Sequence, residues 1–179
     1  LLVGHSDGAR IAALYAARVR DPLLCGLVLI APHFFVEDVT LAGIRRAQQA
    51  YYAGDLRQRL ARWHGANVEG AFRGWSEIWL SPEFRHFDMR HELAAIGVPI
   101  LLIQSEHDPY ATVAQLKAAE ERARVPVETL LLPGHSHAPH IDQAEPTLAV
   151  IAAFARRLLA NHPGAGGPDT QASSSCGGD

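Results

Sequence analysis

The sequence predicts an α/β fold with a parallel sheet of about four strands flanked by helices. Continuous apolar runs of strand length, at 25–31, 98–103 and 127–132, are typical of parallel strands buried on both faces. Stretches with apolar residues at helical spacing lie between or after these runs, at 112–122 and 145–159. Strands that alternate with helices form parallel sheets with right-handed crossovers. With 179 residues, 48% of them hydrophobic, the chain can bury one core of ordinary size.

The first eight residues predict a nucleophile on a sharp turn. An apolar strand at 1–3 runs into a Gly-x-Ser-x-Gly motif formed by Gly4, Ser6 and Gly8, and a helix begins near Asp7. Glycine has no Cβ, so Gly4 and Gly8 let the chain turn sharply and let neighbouring elements approach the serine closely. The turn lifts Ser6 clear of the sheet, and the helix N-terminus suits a negative charge that forms beside its hydroxyl.

The helix after this turn is predicted by apolar residues at helical spacing, and Pro22 lies just beyond its end. These apolar residues are Ile11, Leu14, Tyr15 and Val19. The second strand, at 25–31, is closed by Pro32.

The segment 33–88 interrupts the alternation of strands and helices and contains most of the aromatic residues of the chain. Short helices are predicted around 41–52, 55–65 and 69–80, so the segment is a candidate helical lid. The alternative is that its aromatic side chains pack into a small core of their own. Asp88 is predicted to cap a helix that runs through 93–96. The residues proposed to line a substrate site are His5, His33, Phe34, Trp75, Trp79 and Tyr110.

Two loops follow the third and fourth predicted strands at the carboxyl edge of the sheet, where parallel sheets place their active sites. The first loop contains Glu106 and Asp108, and the second contains His135, His137 and His140. A serine hydroxyl is a weak nucleophile and needs a base within hydrogen-bond reach, itself held by a third group. These loops therefore offer candidates for both the base and the acid.

The chain order of serine, acid and histidine, with the Gly-x-Ser-x-Gly motif, resembles the second half of an α/β-hydrolase of the lidded esterase, lactonase or C–C-bond hydrolase type. The resemblance covers about residues 1–159. It implies that Ser6 is the nucleophile, Asp108 the acid and His137 the base. It also implies that the backbone amide of Asp7 is one oxyanion donor, with a second donor on an earlier strand outside this chain.

Each of these assignments has a rival. His135 directly follows a glycine, as the family histidine usually does, but the following Pro-His-x-Asp-Gln register favours His137. Glu37 or Asp38 could be the acid, as in some relatives, and Asp108 is preferred because no histidine constrains Glu37. His5 is expected to be a packed neighbour of the nucleophile.

Several other functions are disfavoured. A net charge of −3 and a pI near 6.4 leave no basic stripe for nucleic acid, and no apolar run approaches the ~20 residues of a membrane span. Cys25 and Cys176 make no disulfide framework, which favours the cytoplasm. The histidine run 135–140 is similar to a binuclear metal motif, but Pro139 stands at its aspartate position, and no dinucleotide or phosphate loop is present. We therefore expect neither a metal nor a cofactor.

The predicted function is hydrolysis of a small, largely apolar ester, lactone, thioester or C–C bond, with no expectation about oligomeric state. The alternatives are a non-catalytic ligand-binding or partner-binding protein, and a lyase or peroxidase-like activity on the same scaffold. Residue 1 lies inside a strand, so we expect a C-terminal portion of a hydrolase: core at 1–32 and 89–161, lid at 33–88 and disordered tail at 162–179. Alone, such a portion should be poorly active and should associate through its exposed apolar edge at 1–3.

Overall fold

The computed structural model describes residues 1–160 and has a four-stranded parallel sheet at its centre. The strands lie in the order β1-β2-β3-β4, so each neighbours the next one along the chain. They are Leu2–His5 (β1), Leu27–Ile30 (β2), Ile100–Ser105 (β3) and Val127–Leu132 (β4). The predicted parallel α/β fold is confirmed. Strand β3 begins two residues later than predicted because Pro99 has no N–H to donate to the ladder.

Seven α-helices are present in the described residues: Asp7–Arg18 (α1), Asp38–Ala53 (α2), Leu56–His64 (α3), Val68–Leu80 (α4), Ala114–Arg122 (α5), Pro139–Asp142 (α6) and Ala144–Ala160 (α7). Within residues 1–160, none is both long and apolar enough to cross a membrane.

The residues that α1 buries are not the larger apolar residues whose spacing predicted the helix. Four alanines face the core, and their short side chains let the helix lie close to the sheet. Ile11 and Tyr15 are exposed beside β1, where Val3 is also exposed. Strand β1 pairs only with β2 among the described residues, so the apolar edge that we predicted lies at this position.

The two faces of the sheet are covered by different helices, which explains the continuous apolar runs. Leu29 and Leu102 point to one face, into a cluster that includes the alanines of α1 and residues of α5. Val28 and Leu101 alternate with them and pack against Phe154 of α7 on the other face. In β2 and β3 the residues on both faces are almost completely buried, and this fixes the register of these strands. The prediction that 127–132 is buried on both faces was wrong: Glu128, Thr129 and Leu131 of β4 are exposed, because β4 lies at the edge of the sheet and pairs only with β3 among the described residues.

The helical insertion, residues 33–88, leaves and rejoins the sheet through a narrow neck. The Val36 amide donates to the Phe87 carbonyl at 3.2 Å, and the Met89 amide donates to the Phe34 carbonyl at 2.8 Å. Between these points α2, α3 and α4 form a small core of their own, in which the Tyr51 ring stacks on another aromatic ring.

The helix predicted after Asp88 is present as a 3-10 helix, Arg90–Ala95, and ends one residue earlier than predicted. Asp88 still acts at its start, because its Oδ1 accepts a hydrogen bond from the Arg90 amide at 2.9 Å. Leu93 is the one residue of this short helix that is buried in the core. The predicted tail at 162–179, with Cys176, lies outside the described residues, as does residue 161 of the predicted core.

Candidate active site

Ser6 lies on a strained turn between β1 and α1. Its φ of 55° and ψ of −119° are sparsely populated for a residue with a side chain, and such strain concentrates at functional sites. Gly4 is required by space, because a Cβ there would lie 2.4 Å from the carbonyl oxygen of Gly8. Gly8 was expected to permit a close approach in the same way, but the structure gives no steric reason for glycine there. A Cβ added at Gly8 would meet no atom within 4 Å among the described residues.

The turn is fixed to the sheet and brings Ser6 to His137. The Ser6 amide donates to the Ile30 carbonyl at 2.9 Å, which continues the β1–β2 ladder into the turn. His137 Nε2 lies 3.0 Å from Ser6 Oγ. His137 belongs to the loop between β4 and α6, so the two residues come from opposite edges of the sheet.

Asp108 completes a chain of hydrogen bonds. Its carboxylate oxygens lie 2.8 and 3.0 Å from His137 Nδ1, and one of them also accepts from the Tyr110 amide at 2.8 Å. Asp108 is only 4% exposed, so these partners stabilise a buried charge. A carboxylate can only accept, so Nδ1 of His137 carries the proton. Nε2 is then the acceptor that faces the hydroxyl of Ser6.

The structure does not bring the rival residues to Ser6. The carboxylate of Glu37 accepts from the Thr112 amide at 3.1 Å and from Gln115 Nε2 at 2.7 Å, and thereby joins the start of α2 to the start of α5. The Asp38 carboxylate lies 3.6 Å from an arginine of the insertion. The His135 ring lies 4.9 Å from another histidine ring, in the loop after β3. Within residues 1–160, no group of three or more His, Cys, Asp or Glu is arranged to hold a metal ion.

His5 joins the two loops that carry the nucleophile and the histidine. Its Nε2–H donates to the backbone carbonyl of His137 at 2.7 Å, which sequence analysis did not foresee. The His5 ring also packs edge-on against His140 at 4.7 Å. Burial lowers the pKa of His5, so the ring is neutral and its protonated nitrogen is the one that the carbonyl requires.

Asp7 links the turn to the insertion. Its Oδ2 accepts a hydrogen bond from Trp79 Nε1 at 3.1 Å, and Arg10 Nη2 forms an ion pair with Oδ1 at the same distance. The Arg10 guanidinium also lies over the rings of Trp79, Phe84 and Phe87 at about 5 Å. The residue after Ser6 therefore holds the C-terminal end of α4 against α1.

A cavity of about 200 Å³ opens at Ser6 and has two kinds of wall. The strand-end wall, from the carboxyl end of β1 and the segments that follow the strands, comprises His5, Ser6, His33, Tyr110 and His137. The insertion wall, from α2 and α4, comprises Thr40, Ile44, Trp75 and Trp79. Five of the six predicted lining residues are therefore present. Thr40 and Ile44 were missed: Ile44 lies on the helix predicted around 41–52, and Thr40 precedes that range because α2 begins earlier, at Asp38.

Phe34 is the exception among the predicted lining residues. It is fully buried in the core cluster on the α1 side of the sheet, and its amide donates to Gln115 Oε1 at 2.7 Å. Its neighbour His33 points into the cavity because Ala31, with a φ of 47°, turns the chain at the end of β2. The side chains of adjacent residues in an extended segment point in opposite directions, so His33 and Phe34 cannot both line the cavity.

His33 is a buried, neutral imidazole. Burial lowers its pKa to about 3, and the nearby His137 adds to this effect while Asp108 opposes it. Its Nδ1 has no hydrogen-bond partner, which is uncommon for a buried polar atom. The ring packs edge-on against Trp79 at 5.3 Å, so it links the two walls.

The sequence model of the alpha/beta hydrolase family matches residues 1–150. This chain belongs to the alpha/beta hydrolase family. A comparison with curated protein sequences finds no match. Solved structures with the alpha/beta hydrolase fold are similar to the chain in shape but have low sequence identity to it.

Three of these structures illustrate the similarity. A membrane phospholipase A, described as a bacterial virulence factor, aligns with a TM-score of 0.65 and 20% identity over 88% of this chain and 56% of that chain. An esterase from Rhodococcus aligns with a TM-score of 0.60 and 18% identity over 88% and 65% of the two chains. A meta-cleavage product hydrolase from Pseudomonas fluorescens aligns with a TM-score of 0.66 and 16% identity over 87% and 64%. This alpha/beta hydrolase spans less than two thirds of the length of each of these three proteins.

Proposed function

We propose that this alpha/beta hydrolase cleaves a small, largely apolar ester, lactone, thioester or C–C bond through an acyl-enzyme on Ser6. The observation that carries the proposal is the continuous chain from Ser6 Oγ to His137 at 3.0 Å and from His137 to Asp108 at 2.8 Å. Membership of the alpha/beta hydrolase family supports hydrolysis as the general reaction.

In the first step, Ser6 Oγ attacks the substrate carbonyl carbon while its proton passes to His137 Nε2. The carbonyl π electrons move to oxygen and form a tetrahedral oxyanion. The Asp108 carboxylate stabilises the imidazolium and keeps Nδ1 as the donor throughout. When the oxyanion collapses, the bond to the leaving group breaks and His137 returns the proton to that group.

In the second step, a water molecule attacks the acyl-enzyme by the same route. His137 takes a proton from the water as the water oxygen bonds to the acyl carbon. When this second tetrahedral intermediate collapses, the bond from the acyl carbon to Ser6 Oγ breaks, and His137 returns the proton to Oγ as the acid product is released. The backbone amide of Asp7, at the N-terminus of α1, is the proposed donor to the oxyanion in both steps. Such a donor typically contributes ~10²-fold or more to the rate.

The substrate class follows from the cavity walls. Ile44, Trp75 and Trp79 present apolar surface to Ser6, and the buried imidazole of His33 carries no charge. An ionic substrate would lose its hydration there without an opposite charge on the insertion wall to replace it. We therefore assign a neutral, largely apolar substrate and propose that residues 33–88 act as a lid.

Active-site labelling in the full-length protein tests the assignment. A fluorophosphonate probe should modify Ser6, which intact mass and peptide mapping would locate, and Ser6→Ala should not be labelled. Ser136 is a matched control, because its hydroxyl donates to Asp142 at 2.6 Å and not to a histidine. Ser136→Ala should be labelled as the wild type is.

Two outcomes would lead to a different function. Labelling that persists in Ser6→Ala would remove Ser6 from its role. A folded wild-type protein that takes up no probe and hydrolyses no p-nitrophenyl ester, but binds an apolar ligand, would favour the non-catalytic binding protein.

A further inference from the structure

A second cavity lies within the helical insertion and adjoins the one at Ser6. It has a volume of about 370 Å³, larger than the 200 Å³ of the cavity at Ser6. Its lining is almost entirely apolar and includes Leu56, Leu60 and Phe72. His64, at an exposed position, is the one polar side chain other than Tyr110 that lines it. This cavity therefore suits a hydrocarbon group.

The same two helices line both cavities. On α2, Ile44 faces the cavity at Ser6 and Ala47, three residues later, faces the second cavity. On α4, Ala71 faces the second cavity and Trp79 faces the cavity at Ser6, with Trp75 between them in both linings. Residues three or four apart lie on one face of a helix. One continuous face of each helix therefore runs from Ser6 into the second cavity.

The two cavities are separated by the side chains of Trp75 and Tyr110, which line both. Tyr110 is fixed on α2: its ring lies against Gly43, where a Cβ would come within 2.8 Å of it, and Thr40 Oγ1 donates to its carbonyl. Trp75 is only half-buried, and its ring meets Phe72 and Tyr110 edge-on at 5.7 and 6.4 Å. Trp75 is therefore the less constrained part of the partition.

We propose that the second cavity binds the alkyl chain of the substrate and that Trp75 forms its entrance. This inference rests on the proposed hydrolysis at Ser6 and extends it to a substrate class, esters or thioesters with an unbranched chain of medium length. The cavity at Ser6 alone is smaller than the ~300 Å³ at the lower end of typical ligand sites, whereas the two cavities joined exceed it.

The experiment measures kcat/KM for p-nitrophenyl esters from acetate to octanoate in the full-length protein. Each methylene that becomes buried should raise kcat/KM by about threefold to fourfold. Trp75→Ala should raise the octanoate-to-acetate ratio at least about tenfold, because it removes the partition. Adding Ala71→Phe, which fills the second cavity, should return the ratio to within about twofold of the wild type.

Trp63→Ala is the matched control, since Trp63 lies on α3 in the same insertion and is 86% exposed. It should leave the ratio unchanged. If Trp75→Ala does not fold by circular dichroism, Trp75→Phe should give a smaller rise in the same direction. An unchanged ratio in a folded Trp75 variant, or a rise that Ala71→Phe does not reverse, would overturn the proposal. A parallel series of acetates of longer alcohols would show whether the acyl or the alcohol chain enters the cavity.

A binding measurement separates this inference from the proposed chemistry. Octanamide and acetamide, which carry no charge, are titrated by calorimetry into Ser6→Ala combined with Trp75→Ala, which cannot form an acyl-enzyme. Octanamide should bind at least about tenfold more tightly than acetamide, and adding Ala71→Phe should abolish the difference. Equal binding of the two amides would overturn the alkyl-chain site even if the wild type hydrolyses esters. Preferential octanamide binding in a protein without esterase activity would retain the site and reject the reaction.

Discussion

The two walls of the cavity at Ser6 are built from different kinds of contact. On the strand-end wall, His5 and His137 form hydrogen bonds of 2.7 to 3.0 Å. These hydrogen bonds join residues that lie at the carboxyl edge of the sheet. On the insertion wall, the main contacts are ring packing and apolar burial, with side-chain hydrogen bonds from Trp79 to Asp7 and from Thr40 to the Tyr110 carbonyl. The first kind of wall fixes positions to a fraction of an ångström, whereas the second fixes volume and shape.

If the proposed function is right, the strand-end wall carries out the reaction and the insertion wall selects the substrate. Proton transfer requires the sub-ångström alignment that a parallel sheet and its hydrogen-bonded loops provide. Chain length and polarity of the substrate depend on the size of the space opposite, which side chains of α2 and α4 can change without moving the sheet. Substitutions on the strand-end wall should therefore affect kcat much more strongly than substitutions on the insertion wall.

The strongest test of this comparison replaces the acid. Asp108→Asn should lower kcat/KM by ~10³–10⁴-fold, because an amide no longer holds the His137 tautomer that accepts the proton of Ser6. Glu37→Gln is the matched control: it removes a carboxylate that the sequence also suggested, but one that contacts Thr112 and Gln115 instead. We expect Glu37→Gln to stay within about threefold of the wild type in p-nitrophenyl ester hydrolysis. If the two variants exchanged these effects, Asp108 would not be the acid.

The pH dependence of stability tests the buried imidazole on the same wall. Folding lowers the pKa of His33 from 6.5 to about 3, so the unfolded chain binds a proton that the folded chain does not. The neutral His33 therefore contributes to the free energy of unfolding above pH 6.5, and this contribution is lost as the pH falls from 6.5 towards 3. Between about pH 7 and pH 5 this group alone should reduce the free energy of unfolding by about 2 kcal/mol.

Urea titrations of the wild type and His33→Asn at both pH values measure this effect. The variant should lose about 2 kcal/mol less than the wild type over the same interval, because asparagine does not titrate. Equal losses in the two proteins would show that His33 is not buried in its neutral form.

A smaller effect is expected from the contact between the two loops that carry Ser6 and His137. His5→Phe keeps an aromatic ring but cannot donate to the His137 carbonyl, so kcat should fall about tenfold with KM within about twofold. His5→Gln, whose side-chain amide can donate, should recover part of the loss. Steady-state kinetics on one short-chain ester distinguish the two variants. Equal activity in both would mean that the hydrogen bond does not position His137.

The smallest effect is expected on the insertion wall. Trp79→Phe retains an aromatic ring against His33 and removes the hydrogen bond to Asp7, so the free energy of unfolding should fall by about 1–2 kcal/mol. The change in kcat for a short-chain ester should be less than about threefold. Trp63→Phe, at an exposed position, controls for the loss of an indole and should change neither. A loss of kcat as large as that of Asp108→Asn would end the distinction between the two walls.

The sequence by itself determined the parts of this protein that depend on short-range pattern. Apolar runs without alternation predicted strands buried on both faces, and the motif from Gly4 to Gly8 predicted the turn that presents Ser6. Because the carboxyl ends of parallel strands share one edge, the sequence also placed the loops of Asp108 and His137 beside that turn. These conclusions need only the local preferences of the backbone and the topology of parallel sheets.

The tertiary structure alone decided which side chains meet. His33 enters the cavity while Phe34 enters the core, although the sequence offered both as lining residues. The donation from His5 to the His137 carbonyl joins residues 132 positions apart and has no sequence signal. Side-chain direction in a loop depends on a few backbone dihedrals and on what each side chain can bury, and only the packed molecule specifies these.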